Sequence, residues 1–316
     1  MDIPFAPWPS LKTYAKLFPS KRFPGLFYYE YEQKESRTNQ PVLILIHGLG
    51  DEADTWRHLI PLLGEAGYRV LAPDLPGFGR SLITRSSSLG RHRDAVLELA
   101  KAACENHEAG AVLIGSSMGA AVAEAAVLAG GQKSKDSINP DNQSGFIKAL
   151  ILLGGCFPVD SASSKLLIMA LPFIGKKWYR SFRTNPEGAW QSLFSYYGDI
   201  HKLPEEDKEF LRNRVMERVQ SIPQERGYFS SLRSMIFQSL RPSYFRSIGK
   251  WPGKIALIWG EDDHLVPHSQ TNSFRKLRMN NITELTLIND AGHLPHQEKP
   301  VETAEAILAF LKTLSP

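Results

Sequence analysis

The stretch Val112-Leu113-Ile114-Gly115-Ser116-Ser117-Met118-Gly119-Ala120-Ala121 determines how the rest of the chain is interpreted. Its apolar beginning is typical of a buried β-strand, and the small residues up to Ala129 are typical of a helix. The two segments meet in a G-x-S-x-G motif centred on Ser117. A serine at such a strand-to-helix corner lies on a tight turn that exposes its hydroxyl next to unpaired helix N–H groups. The motif predicts Ser117 as a nucleophile, although the pentapeptide alone also occurs by chance.

The composition is that of an ordinary globular protein. The 316 residues are 42% hydrophobic and 22% charged, with a net charge of +4, which allows one large α/β domain or two smaller ones. The weak charge and the lack of a long Lys/Arg run argue against a nucleic-acid partner. We interpret the short basic clusters Lys176-Lys177 and Arg212-Asn213-Arg214 as solvated helix faces. Cys104 and Cys156 are expected to be free thiols in a reducing compartment.

The first residues and the longest apolar runs favour a cytoplasmic location. The N-terminus has no basic segment followed by an apolar one, so no signal peptide is predicted. Apolar runs such as Ala149 to Leu153 fall far short of the roughly 20 residues of a membrane-spanning helix. Residues 1–25 are aromatic and rich in proline. We predict that they form an N-terminal arm that packs on the body of the protein or touches a membrane surface.

Strand and helix patterns alternate along most of the chain. Apolar runs at 42–46, 68–72, 147–153, 254–259 and 283–288 predict strands, together with an antiparallel edge strand over Leu26 to Gln33. The helical patterns between them predict a mostly parallel central sheet flanked by helices. From 156 to 250 the chain is helical in pattern and rich in aromatic residues. The predicted organisation is the arm (1–25), an α/β core (26–155 and 251–316) with an exposed loop at 130–145, and an inserted helical cap (156–250).

Polar residues follow the predicted strands at the edge where a parallel sheet gathers its chemistry, the carboxyl ends of the strands. His47-Gly48-Leu49-Gly50 follows the strand at 42–46. Ser117 follows the strand that begins the stretch quoted above. An acidic cluster that includes Asp263 follows 254–259, and His293 follows 283–288. The chain therefore presents a serine, an acid and a histidine in that order.

Five ordered motifs resemble those of the α/β-hydrolase superfamily, specifically its capped serine hydrolases. They are His47-Gly48, Asp74-Leu75-Pro76-Gly77-Phe78-Gly79-Arg80-Ser81, Gly115-x-Ser117-x-Gly119, Gly260-x-x-Asp263-x-x-x-Pro267 and Gly292-His293. The resemblance covers the chain from about Leu26 to Leu314. It implies an α/β-hydrolase fold with a helical cap and a triad in the order Ser, Asp, His.

The resemblance assigns a role to each candidate residue. Ser117 is the nucleophile, His293 accepts its proton, and Asp263 fixes the imidazole tautomer. The backbone N–H groups of Leu49 and Met118 are expected to form the oxyanion hole. For the acid, Glu261 and Asp262 compete with Asp263, whose spacing fits the family, and a minor alternative from an earlier strand end is Asp160. His296, three residues after His293, is a possible source of confusion in mutagenesis.

The remaining motif residues are interpreted as structural. His47 and Gly48 are expected to shape the oxyanion loop, and residues 74–81 to form a structural loop and a wall of the site. The spacing of the histidines resembles no metal-ligand set, so neither a metal nor another cofactor is predicted.

The resemblance favours carboxylester hydrolysis of a small molecule with an apolar acyl group, held in a cleft under the cap. A serine nucleophile differs from the aspartate of haloalkane dehalogenases and epoxide hydrolases. Met118 is typical of esterases, lipases and carbon–carbon bond hydrolases. Leu49-Gly50-Asp51 and Leu294 differ from the Gly-Pro-Gly loop and the Trp of meta-cleavage hydrolases. Carbon–carbon bond hydrolysis, a cofactor-free perhydrolase or oxygenase activity and a non-catalytic ligand receptor remain alternatives.

Overall fold

The computed structural model describes residues 5–33, 39–81, 87–105, 107–129, 145–155, 170–171, 173–239, 241–272 and 281–314. These residues form an eight-stranded sheet of order β1-β2-β4-β3-β5-β6-β7-β8. Its strands are β1 (Ala15–Phe18), β2 (Leu26–Tyr31), β3 (Val42–Ile46), β4 (Val70–Pro73), β5 (Ala111–Ser116), β6 (Ile147–Leu153), β7 (Lys254–Gly260) and β8 (Ile282–Ile288). The pairs β1–β2 and β2–β4 are antiparallel, and all other pairs are parallel. The predicted fold class, an α/β fold with a mostly parallel central sheet, is confirmed.

Helices cover both faces of the sheet. They are α1 (Leu59–Glu65), α2 (Leu89–Ala103), α3 (Met118–Ala129), α4 (Ile174–Ser181), α5 (Pro186–Gln191), α6 (Glu205–Gln220), α7 (Ile222–Ser239), α8 (Pro242–Ile248), α9 (Pro295–Glu298) and α10 (Pro300–Lys312). Successive residues of β3 point to opposite faces, so Val42 and Ile44 pack in the core beneath α2 and α3, and Leu43 packs in the core beneath α1 and α10. Apolar side chains on both faces explain why the central strands read as unbroken apolar runs.

The antiparallel edge of the sheet differs from the prediction. Residues 26–31 do form an antiparallel strand, but β1 lies outside it and is the edge strand. β1 leaves no clear strand pattern in the sequence because it is only four residues long and partly exposed, with Leu17 42% exposed. The prediction that 26–33 is the edge was therefore wrong, and part of the predicted arm belongs to the sheet.

Between β6 and β7, the described residues 170–171, 173–239 and 241–250 form helices joined by short turns, with no strand among them. We call these residues the cap segment. It contacts the rest of the chain near the carboxyl ends of the strands, where the N–H of His293 donates to the carbonyl of Tyr196 at 2.9 Å. Its assignment as a separate cap domain stays a prediction. Cys156 and most of the predicted loop at 130–145 lie outside the described residues, and Cys104 is a free thiol.

Within the described ranges, none of the helices combines the length and the apolar character needed to cross a lipid bilayer.

Candidate active site

Ser117 occupies a strained corner between β5 and α3. Its φ of +52° lies in the left-handed region, which is uncommon for a residue with a side chain. The corner is held by its backbone, since the N–H of Ser117 donates to the carbonyl of Leu153 at 2.9 Å. A Cβ added to Gly119 would lie 2.0 Å from the carbonyl oxygen of Ile46, so only glycine fits where α3 approaches β3. This is the geometry that the G-x-S-x-G motif predicts.

His293 and Asp263 form a buried hydrogen-bonded pair. The distance between His293 Nδ1 and Asp263 Oδ2 is 2.8 Å. The other carboxylate oxygen accepts the N–H groups of Leu265 and Val266 at 3.0 and 2.8 Å. An ionised carboxylate can only accept, so the Nδ1 atom of the neutral imidazole carries the hydrogen and Nε2 is left as an acceptor. Among the described residues Nε2 has no hydrogen-bond partner, which leaves it available to take a proton.

The structure thus places Asp263 rather than its neighbours against the histidine. Glu261 and Asp262 are both exposed to solvent, whereas Asp263 is buried. Asp160 lies outside the described residues. His293 and Ser117 line the same cleft, which brings the three sequence-predicted residues to one place.

The loop that follows β3 lies beside Ser117. A Cβ added to Gly48 would come 3.4 Å from the Ser117 Cβ, and Leu49 lines the cleft with Ser117. Met118 is the first residue of α3, and the first N–H groups of a helix have no partner inside the helix. The backbone N–H groups of Leu49 and Met118 therefore belong to two segments that meet at the nucleophile.

His47 fixes the base of this loop. Its Nδ1 lies 2.8 Å from the carbonyl oxygen of Gly48, and its Nε2 lies 2.8 Å from the N–H of Leu75. A carbonyl only accepts and an N–H only donates, so the imidazole is neutral with its hydrogen on Nδ1. Complete burial lowers the pKa of His47, which keeps the ring neutral. The ring thus links the loop after β3 to Leu75, and its role in shaping the oxyanion loop stays a prediction.

Ion pairs join the same loop to α6 of the cap segment. Arg218 Nη2 lies 2.7 Å from Asp51 Oδ1 and 3.0 Å from Glu52 Oε1, and Arg214 Nε lies 2.8 Å from Glu52 Oε1. Burial alone would raise the pKa of Glu52, but Arg218 and Arg214 together lower it to about 2. The interpretation of Arg214 as part of a solvated face was wrong, because its side chain is only 3% exposed.

These ion pairs have no signature in the sequence. Arg214 and Arg218 stand one helical turn apart, and an acidic run begins at Asp51, but nothing in the sequence pairs segments more than 160 residues apart. The Asp74–Arg80 pair is buried and structural, with Arg80 Nε 2.7 Å from Asp74 Oδ2. None of the described residues in 74–81 lines the cleft, so that loop is not a wall of the site.

The cleft above Ser117 is mostly apolar. Its volume of about 120 Å³ is several times the roughly 10–15 Å³ that one water molecule requires. The cap segment supplies its large rings, namely Trp178, Tyr179, Phe182, Tyr196, Tyr197 and Tyr228. Of the described lining residues, Arg218 is the only cation, and its charge is already paired with Asp51 and Glu52. Such a cleft suits an uncharged substrate with an apolar group.

The nearby His296 is not part of this arrangement. Its Nε2 lies 2.9 Å from Thr55 Oγ1, and its ring packs on Trp56 with the centroids 4.2 Å apart. Burial lowers its pKa well below the usual range. Across the described ranges, no group of three His, Cys, Asp or Glu residues is placed to hold a metal ion.

Comparisons with known proteins agree on the fold. The model of the alpha/beta hydrolase family matches residues 43–306. YugF of Bacillus subtilis, described as an uncharacterized hydrolase, is 25% identical over 296 residues, which are 90% of this chain and 94% of YugF.

Two solved structures are similar over nearly the whole chain. A serine hydrolase of the hydrocarbon-degrading bacterium Cycloclasticus zankles has a TM-score of 0.70 at 17% identity, over 94% of this chain and 97% of its own. The 2-hydroxy-6-oxo-6-phenylhexa-2,4-dienoate hydrolase of Rhodococcus has a TM-score of 0.68 at 21% identity, over 94% of this chain and 98% of its own. At these identities the likeness shows a shared fold.

Proposed function

The chain belongs to the alpha/beta hydrolase family, and we propose that it is a serine hydrolase that cleaves carboxylic esters through an acyl-enzyme intermediate. One observation carries the proposal. His293 Nδ1 is hydrogen-bonded to Oδ2 of buried Asp263 at 2.8 Å, and His293 shares a cleft with Ser117, whose φ is +52°. A nucleophile, a base and a group that orients the base are the parts that acyl transfer requires.

The first half of the reaction forms the acyl-enzyme. Ser117 Oγ attacks the acyl carbon while His293 Nε2 takes the hydroxyl proton, and Asp263 stabilises the resulting imidazolium without becoming protonated. The carbonyl oxygen becomes an oxyanion that accepts hydrogen bonds from the N–H groups of Leu49 and Met118. The tetrahedral intermediate collapses, the bond to the alkoxy oxygen breaks, and His293 gives its proton to the departing alcohol.

The second half releases the acid. A water molecule gives a proton to His293 Nε2 and attacks the acyl carbon, and the same two N–H groups stabilise the second oxyanion. When this intermediate collapses, Ser117 Oγ leaves and regains the proton from His293. The products are a carboxylic acid and an alcohol, and the enzyme returns to its starting state.

The cleft favours an ester over a dienoate substrate. The Rhodococcus neighbour is named for a dienoate, which is a carboxylate. Among the described cleft residues of this chain, the only cation is Arg218, which already lies between Asp51 and Glu52. A carboxylate placed there would meet no unpaired positive charge and would have to leave water, which is costly. The aromatic lining accepts an apolar acyl group instead.

Covalent labelling tests the proposal. The wild-type chain should react with a fluorophosphonate probe and hydrolyse a short p-nitrophenyl ester, and Ser117→Ala should do neither. Ser116→Ala is the matched control, since Ser116 is buried and its hydroxyl has no hydrogen-bond partner among the described residues. The control should keep both activities. A wild-type chain that neither labels nor hydrolyses any acyl ester refutes the proposal and favours the receptor alternative.

The cytoplasmic location predicted from the sequence remains part of this proposal. Imaging of the tagged full chain together with cell fractionation tests it.

A further inference from the structure

Helix α4 leaves large apolar side chains in solvent. It buries Gly175 and Tyr179 against the rest of the cap segment. Phe173, which directly precedes the helix, is 88% exposed, and Ile174 and Trp178 are 53% and 42% exposed. Ile174 and Trp178 stand one helical turn apart and so share a face. Single exposed apolar residues are ordinary, but a group of three on one short segment indicates an interaction surface.

The same segment is strongly basic. Residues 173–184 contain Lys176, Lys177, Arg180 and Arg183 and no acidic residue. Arg180 and Arg183 share one carboxylate, that of Glu225, at 2.7 and 2.8 Å. Lys176, Lys177 and Arg180 line a depression beside Phe173. We call residues 173–180 the α4 face, which combines exposed aromatic and cationic side chains.

The α4 face is continuous with the active-site cleft. Trp178 is exposed on one side and lines the cleft on the other. Its ring meets that of Phe182 edge to face with the centroids 4.5 Å apart, and Phe182 also lines the cleft. Trp178 and Phe182 therefore join the α4 face to the cleft that Ser117 lines.

We propose that the α4 face binds the surface of an anionic lipid bilayer. Aromatic side chains favour the boundary between headgroups and acyl chains, and lysines beside them attract anionic headgroups. The mixture of an apolar ridge with cations around it fits that boundary, whereas a purely acidic protein surface would leave Phe173 and Ile174 in water. This proposal rests on the proposed esterase function, since the face would let an ester pass from the bilayer into the cleft.

Vesicle co-sedimentation tests the binding separately from catalysis. The full chain carrying Ser117→Ala should sediment with phosphatidylcholine vesicles that contain phosphatidylserine, and added salt should weaken the binding. Lys176→Gln with Lys177→Gln should weaken it about 20- to 30-fold, since two cations contribute about 1 kcal/mol each. Phe173→Ser should weaken it without removing a charge. The matched control, Lys101→Gln with Lys312→Gln, makes the same charge change on exposed residues of α2 and α10.

Several results would overturn the proposal. One is equal binding to vesicles with and without phosphatidylserine, or no binding to either. Another is a loss of vesicle binding in the Lys101/Lys312 control equal to that of the Lys176/Lys177 variant, which would mean that only the net charge of the protein matters. Binding to polyglutamate but not to vesicles would indicate an acidic protein partner instead. Hydrolysis of a short ester without lipid should be unchanged by Lys176→Gln with Lys177→Gln in the otherwise wild-type chain, so a failure of the esterase proposal remains separately visible.

Discussion

Replacing Asp263 by Asn tests the triad with a minimal change in shape. The carboxylate of Asp263 accepts the Leu265 and Val266 N–H groups on Oδ1 and the His293 Nδ1 hydrogen on Oδ2. An asparagine can keep its carbonyl oxygen on the two backbone N–H groups. Its NH₂ group then faces His293 Nδ1, and a donor cannot bond another donor. The imidazole must move its hydrogen to Nε2, the atom that has to accept the proton of Ser117.

The expected magnitude follows from this tautomer change. Loss of the correct tautomer in a triad lowers kcat by about 10⁴-fold, or roughly 5.4 kcal/mol at 1.36 kcal/mol for each factor of ten. Stability should change much less, because the two backbone hydrogen bonds are retained and no buried charge is left unpaired.

Burst kinetics with a p-nitrophenyl ester measure the effect on acylation. The matched control is Asp262→Asn, since Asp262 adjoins Asp263 but its side chain is exposed. The control should retain nearly full activity, and both variants should unfold near the wild-type temperature. If Asp263→Asn stays within tenfold of the wild type, or if Asp262→Asn loses as much, the reasoning from the Asp263–His293 bond is wrong.

Two further predictions concern the ion pairs of the loop after β3 and Glu124, a buried acid of α3. Arg218→Met should lower kcat and slow fluorophosphonate labelling, since it removes the ion pairs that hold the loop after β3. It leaves Asp51 without this partner and buried Glu52 with Arg214 alone, at a cost in stability of up to about 3–5 kcal/mol. Arg212→Gln, at an exposed position on the same helix, is its control, and equal labelling rates would contradict the role. Burial raises the pKa of Glu124 to about 8. The folded chain therefore keeps a proton that the unfolded chain loses near its ordinary pKa of 4.5, so this residue should make the free energy of unfolding fall between about pH 4.5 and 8, by up to about 1.4 kcal/mol per pH unit. Glu124→Gln should flatten that slope in urea titrations, and an unchanged slope would show that Glu124 ionises normally.

Much of the fold could be predicted because it depends on local patterns. Unbroken apolar runs predicted the central parallel strands, since a strand covered on both faces needs apolar side chains in succession. The triad candidates could be found because parallel strands end at the same edge of the sheet. Residues that directly follow different strands therefore lie near one another, although they are far apart in the sequence. The strand β1 escaped prediction because a short, half-exposed edge strand takes its stability from its neighbour and leaves little pattern in its own residues.

The sequence by itself determined the fold class and named Ser117, Asp263 and His293 as candidates, because backbone geometry and strand order constrain which residue types can stand at those positions. Only the tertiary structure decided which acid meets the histidine, since Asp262 and Asp263 differ by one residue and their burial depends on how the chain turns after β7. It also decided that Arg218 is paired with the loop after β3. Such long-range electrostatic pairing has no signature in the sequence, because the energy of an ion pair depends on distance and burial, which only folding sets.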